Sequence, residues 1–355
     1  MRPFPNLPSG IAPALLAALL FGASTPLAKL LLHDVPPVLL AGLLYAGSGL
    51  GLGTWWVARR LRQGETPAEA PLQKRDLPWL AGAVIAGGVV GPVLLMMGLV
   101  STPASSASLL LNLESVMTAL LAWVVFRENV DIRIFIGMVA IVGGGVLLSW
   151  TQAPTGLPWG ALAIAGACAC WAIDNNLTRV VSGGDPVQIA AIKGGVAGAI
   201  NIGVASFMGQ RLPDLMHVLA AGAIGLTGYG ISLVAFVLAL RHLGAARTGA
   251  YFSTAPFVGA ALSLLLLREL PGPGFWIAGS LMAVGVWLHV SEHHEHEHTH
   301  EVIEHEHLHA HDEHHQHAHG VGWDGSEPHS HPHRHESMTH THPHYPDLHH
   351  RHGHR

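Results

Sequence analysis

The sequence predicts an all-α integral membrane protein, with ten transmembrane helices arranged as two inverted five-helix repeats and a polar tail behind them. Three observations carry this expectation. Half of the 355 residues are hydrophobic, and they gather into stretches of roughly 18–25 residues, the length a helix needs to cross ~30 Å of hydrocarbon. Charge is scarce in the same region: residues 1–290 hold 15 Lys/Arg and 11 Asp/Glu, too few to coat a soluble domain. Segments of the first half also reappear in the second half in the same order.

The spans follow one another as apolar runs cut by turn residues and charges. The first, 11–32, has no small-residue cleavage site leading into a soluble chain, so it is a span and not a removed signal peptide. "HDVPP" ends it and 37–57 follows, after which "RRLRQGETPAEAPLQKRDLP" leads to 78–100. "STPAS" separates 78–100 from 104–126, "RENVDIR" precedes 132–150, and "TQAPTGLP" closes a first repeat over 11–150. The second repeat, 158–290, contains spans 158–178, 186–208, 214–240, 245–267 and 273–290. They are parted by "SGGDP", "GQRLPD", "RHLGAAR" and "RELPGPG". Runs such as "AGSGLGLG" and "GGVAGAINIG" are dense in small residues, which let membrane helices approach closely. Trp55, Trp56, Trp79, Trp150, Trp159 and Trp276 lie at span ends, where indoles anchor at the interface.

Basic residues set the expected orientation. With the N-terminus inside, the inner loops hold Arg59, Arg60, Arg62, Lys74, Arg75, Arg127, Arg133, Arg179, Arg241 and Arg247. The outer side holds Lys29, Arg211 and Arg268. That bias, with an even number of spans, places both termini in the cytoplasm. Nucleic-acid binding has no support, because the basic residues are few and scattered. Cys168 and Cys170, two apart on one helix, point to different faces and are expected to be core residues.

The repeat is explicit in two alignments. "LLFGASTPLAKLLLHDVPP" (19–37) matches "ACWAIDNNLTRVVSGGDPV" (169–187), which sets Phe21 against Trp171 and Lys29 against Arg179. "ASLLLNLESVMTALLAWVVFREN" (107–129) matches "TGAYFSTAPFVGAALSLLLLREL" (248–270). Five spans per half is an odd number, so the second half must sit inverted relative to the first, an arrangement common in secondary transporters.

On these residues the chain resembles the EamA-type ten-helix permeases of the drug/metabolite transporter superfamily. The resemblance covers about residues 10–290. It rests on the steps Phe21-Gly22 and Trp171-Ala172, the closures "FREN" and "LREL", and the Gly-rich last helices "IGMVAIVGGGVLL" and "IAGSLMAVGVWL". It implies transport of a small metabolite across the inner (plasma) membrane, often export, without ATP hydrolysis. The family often has proline in the middle of each fourth helix. Pro256 fits that pattern, while the first half has Ser115 there, preceded by Glu114.

Polar groups at membrane depth are the candidate site. An ionisable residue at the bilayer centre costs on the order of 3 kcal/mol, so its presence asks for a reason. Glu114, about ten residues into its span, is either a proton-coupling or substrate-cation carboxylate or a structural group bonded between helices. Asp174, Asn175 and Asn176 spread over most of a helical turn, so they cannot all face one cavity; some are expected to bond neighbouring helices or to unwind the backbone locally. Lys193 either snorkels to the interface, pairs with Glu114 or Asp174, or serves as an anion-binding cation. Asn112, Tyr251, Ser253 and Thr254 lie on the fourth helices and could line the cavity. No Ser/His/Asp set, Walker loop or zinc-protease spacing occurs in residues 1–290, so an enzyme is not expected.

Residues 291–355 form the tail, which holds 24 of the 28 histidines and 12 of the 23 acidic residues. Its composition predicts disorder. Within 293–319, His293, His294, His296, His298, His300, His305, His307, His309, His311, His314, His315, His317 and His319 are candidate ligands for Ni, Co or Zn. Loose, overlapping sites are expected there, and no cofactor is required. The expected partners are the lipid bilayer and a small-molecule or ion substrate, with a homodimer as an option that the sequence leaves open. The leading expectation is a secondary exporter of a small metabolite. A transition-metal efflux permease fed by the tail is the alternative, and a membrane-anchored metal store or sensor ranks behind it.

Overall fold

The computed structural model describes residues 10–63, 72–126, 132–152 and 158–291, together with 295–299, 303–309, 329–335 and 339–343 of the tail. The first half contains α1 (Ile11–Leu31), α2 (Pro37–Gln63), α3 (Leu77–Ala83), a π-helical segment π1 (Val84–Val90), α4 (Gly91–Ser101), α5 (Ala104–Leu110), α6 (Leu113–Phe126) and α7 (Ile132–Gln152). The second contains α8 (Trp159–Val181), α9 (Pro186–Phe207), α10 (Leu215–Gly225), π2 (Leu226–Ile231), α11 (Ser232–Phe252), α12 (Ala255–Leu266) and α13 (Pro273–Val290). The membrane-spanning part is all-helical, as expected. Nine helical segments among the described residues are long and apolar enough to cross a membrane. α8 lies outside that set, and it is the helix carrying Asp174, Asn175, Asn176 and Arg179.

The chain differs from the expected spans in three places. The third span of each half is not one regular α-helix, because π1 and π2 interrupt it at corresponding points. The fourth span of each half breaks: α5 gives way to α6 at Leu111–Asn112, and α11 to α12 at Ser253–Thr254. Helical structure also continues through "RHLGAAR", where an irregular loop was expected.

Packing joins the halves. α2 lies along α9, α7 along α13, α4 along α8, and α1 along α11 and α12. Small residues make the first pairing possible: a Cβ on Gly49 would stand 2.2 Å from Gly195 N, and one on Gly194 would stand 2.5 Å from Gly49 N. No larger side chain fits between backbones that close. The side chains turned outward are large and apolar, among them Leu50, Val124, Leu265 and Trp276, as lipid contact requires.

Of the tail, expected from composition to be disordered, the structure describes four strands. β1 (Glu295–Thr299) pairs antiparallel with β4 (Thr339–Pro343), and β2 (Ile303–His309) pairs with β3 (His329–His335).

Candidate functional site

The site begins with α8, which runs unbroken past its polar residues. Of the two expectations for these residues, local unwinding does not occur there, nor in α1, which stays helical through Thr25 and Pro26. At about 100° per residue, the three polar side chains of α8 therefore take three directions. Asp174 turns toward α9 and meets Lys193, whose Nζ donates to Asp174 Oδ1 at 2.5 Å and to Thr178 Oγ1 at 3.1 Å. Thr178 Oγ1 also donates to Asp174 Oδ1 at 2.8 Å. Lys193 is 1% exposed, so it does not snorkel; it is the cation of a buried ion pair. Gly87 in π1 makes room for the pair, since a Cβ there would stand 1.9 Å from Asp174 Oδ2.

Asn175 turns toward α6, and its Nδ2 donates to Glu114 Oε1 at 2.7 Å. Asn176 bends back to donate to Ala172 O at 2.9 Å, which takes it out of the site. Glu114 owes its position to the break before it. Asn112 Nδ2 donates to Leu109 O at 2.9 Å and Ser115 Oγ donates to Asn112 O at 2.8 Å, so side chains satisfy carbonyls that the interrupted helix leaves open. α6 then starts afresh, with Glu114 in its first turn, where the helix dipole favours a carboxylate. Among the described residues no cationic side chain pairs with Glu114.

Between these groups is a cavity of about 60 Å³ whose wall includes Glu114, Asp174, Asn175 and Lys193. Aromatic rings form most of the remainder: Phe21, Tyr45, Trp171, Tyr229, Phe236 and Phe252, with Gly228, Ser232 and Leu233 between them. Phe21 meets Trp171 edge-on at 5.6 Å and Tyr229 at 5.8 Å between ring centroids. Tyr45 and Trp171 both donate to Gly87 O, at 2.7 and 3.0 Å, using a carbonyl of the π segment. None of these rings was singled out as a site residue from the sequence. A signal existed: Tyr45 and Tyr229 lie within spans, not at the ends where tyrosine anchors.

Three expected site residues are elsewhere. Asn112 shapes the break without lining the cavity, Ser253 donates to Gly249 O at 2.8 Å, and Tyr251 packs beside Ala14, Ala239 and Leu243. Both cysteines are free; Cys168 is a buried core residue, as expected, whereas Cys170 is only partly buried. In the tail, His296, His298, His305, His307 and His309 fall on β1 and β2. His293, His294, His300, His311, His314, His315, His317 and His319 lie outside the described residues.

Two charged side chains tie one end of the bundle, one within the first half and one across the halves. Lys29 on α1 donates to the carbonyls of Leu99, Val100 and Thr102 where α4 ends. Glu269, just past α12, accepts from the backbone N–H of Ala104 at 2.8 Å and of Ser105 at 2.9 Å, and from the Ser105 hydroxyl. It thus caps the N-terminus of α5 beside a second cavity of about 500 Å³. Arg268 beside it takes a positive φ of 52° as the chain leaves α12.

The EamA-like transporter family matches the chain twice, over residues 8–150 and 158–291. The chain belongs to the EamA-like transporter family. Its relatives include an "uncharacterized transporter" of Methanothermobacter thermautotrophicus, 28% identical over 77% of this chain and 83% of that protein. A "probable terminal-alkyne amino-acid exporter" of Streptantibioticus cattleyicolor is 25% identical over 69% of this chain and 84% of that protein. A solved crystal structure at 19% identity shares the fold with a TM-score of 0.60, covering 79% of this chain and 96% of its own. This EamA-like protein is accordingly a multi-pass membrane transporter, and its polar site lies between the two matched regions.

Proposed function

We propose that the protein exports a small amphipathic metabolite carrying an amine, by alternating access between two inverted five-helix halves in the inner (plasma) membrane, with both termini in the cytoplasm. The observation that supports this most is Glu114, a carboxylate 9% exposed at membrane depth with an amide donor but no cation beside it among the described residues. A carboxylate left so is costly unless a proton or a cationic substrate joins it. Aromatic faces around the cavity suit an ammonium group and an apolar side chain together. Asp174 and Lys193 already neutralise each other and would set the field in which Glu114 works. The amino-acid exporter among the relatives fits the same chemistry. A cavity of about 60 Å³ has room for about two water molecules. Loading therefore requires the rings of α1, α8, π2 and α11 to part, which is a movement of one half against the other.

The test uses inside-out vesicles, with substrates found by metabolite profiling of cells with and without the protein, metals included. Glu114→Gln is expected to abolish transport while the protein remains in the membrane at its normal level. Full transport by that variant would remove Glu114 from the mechanism. A chain cut after Val290 is expected to keep metabolite export; if that cut instead abolishes Ni, Co or Zn efflux, the metal-permease alternative takes over.

A further inference from the structure

Most polar groups of the cavity wall already have partners. Tyr45 and Trp171 donate to Gly87 O, Ser232 Oγ donates to Ala17 O at 2.9 Å, and Lys193 holds Asp174 and Thr178. Two groups are left over. One is the Glu114 carboxylate, which has an amide donor and no cation among the described residues. The other is the hydroxyl of Tyr229, a wall residue 5% exposed, which has no hydrogen-bond partner among the described residues. Ser24, whose side chain adjoins the neighbouring Gly228, gives its own proton to Phe21 O at 2.6 Å.

A buried hydroxyl without a partner destabilises the fold that contains it. Packing does not require one here. The Tyr229 ring lies 5.2 Å from that of Tyr45 between centroids and meets Phe21 edge-on. Phenylalanine would make the same contacts, as Phe21, Phe236 and Phe252 do in this wall. The repeat does not require the hydroxyl either. The spacing that aligns 107–129 with 248–270 sets Glu114 against Ala255 and, carried back to the third spans, sets Tyr229 against Gly88. Each unpaired group thus occurs in one half only, where its counterpart has no polar side chain. Gly87 of π1 and Gly228 of π2, by contrast, recur at the same spacing.

We propose that Tyr229 is a specificity-determining residue whose hydroxyl donates to a second polar group of the substrate. The proposal rests on the reading of Glu114 as the site of the amine. It narrows the substrate class to amines that carry an uncharged hydrogen-bond acceptor, such as amino alcohols and amino amides. A phenol offers one donor and no charge at neutral pH. Lys193, the one cation among the described residues of the wall, is taken by Asp174. A free carboxylate would therefore enter without a counter-charge, which a buried site penalises heavily, whereas a neutral acceptor would not. Loading parts the rings around the cavity, and the Tyr229 hydroxyl on π2 then meets the occupant while Glu114 on α6 holds its ammonium group. Each half thus supplies one anchor, and the two together fix the orientation of the substrate.

The test measures binding to the full-length protein in detergent by titration calorimetry. The probes are leucinol and phenylalaninol, their deoxy amines lacking the hydroxyl, and leucine and phenylalanine. The parent protein is expected to bind each alcohol about five- to tenfold more tightly than its deoxy amine, and the amino acids more weakly than either. Tyr229→Phe is expected to bring each alcohol down to the level of its deoxy amine, with an unfolding temperature no lower than the parent's. A preference that survives in Tyr229→Phe, or amino acids bound as tightly as the alcohols, would overturn the proposal. So would a lowered unfolding temperature, which would make the hydroxyl a structural partner of Ser24. Glu114→Gln separates this proposal from the reading beneath it. Loss of both amines in that variant upholds the amine site whatever Tyr229→Phe does, and undiminished amine binding there removes the amine site and the role of Tyr229 with it.

Discussion

Lys193 is the bulkiest side chain in the described protein with less than 2% exposure, and it is a cation. Its charge is tolerable only because Asp174 and Thr178 meet it. Replacing it by Met removes the counter-charge and strands Asp174, which is expected to cost about 3–5 kcal/mol. Adding Asp174→Asn should recover most of that loss, since no isolated charge remains. Thermal unfolding in detergent checks both variants; a Lys193→Met protein as stable as the parent would show that the pair does not neutralise Asp174. The sequence marked Asp174 and Lys193 as out of place but could not pair them, because they lie on different helices 19 residues apart. It also could not separate Asn175 from Asn176. Adjacent on one helix, they diverge by about 100°, and only the neighbouring α6 decides which one reaches Glu114.

At the scale of elements, length and composition alone located most helices, because crossing hydrocarbon imposes a minimum apolar length. The interruptions were harder to see. π1 and π2 occur within "VIAGGVV" and "LTGYGI", Gly-containing runs no different in kind from others nearby that stay α-helical. The break in the first fourth helix was hidden by the absence of proline, since Asn112 and Ser115 make it through side-chain bonds to carbonyls. The second half uses Pro256 in the first turn of α12. Ser115 occupies the corresponding first turn of α6, where the backbone N–H has no intrahelical acceptor to lose. Ser115→Pro is therefore expected to cost less than about 1 kcal/mol and to keep the protein in the membrane. Ala119→Pro, one turn further into α6, should cost about 3 kcal/mol or more. Comparing folded yield and unfolding temperature for the two variants tests this; equal damage would mean that α5 and α6 behave as one continuous helix.

For the whole molecule, the site is a small cavity of about 60 Å³ and the Lys29–Glu269 end is tied. Glu269 binds the chain after α12 to the start of α5, across the halves that must separate if that end is to open, while Lys29 binds α1 to the end of α4 within the first half. Each is a charged group on backbone atoms, worth roughly 1.5–3 kcal/mol. Loss of one tie would shift an equilibrium between closed and open ends by a factor of about 10 or more, since 1.4 kcal/mol is tenfold. Ser108 on α5 reports on that shift, being 1% exposed and one turn inside the capped end. In a background with Cys168 and Cys170 replaced, Ser108→Cys should react slowly with a water-soluble thiol reagent. Glu269→Ala should raise that rate several-fold, because the freed N-terminus of α5 no longer holds the end closed. An unchanged rate would show that the cap is structural and that the gate of this transporter lies elsewhere. A faster rate together with lost substrate accumulation would show that the two ends must not be open together, which is the condition that alternating access sets.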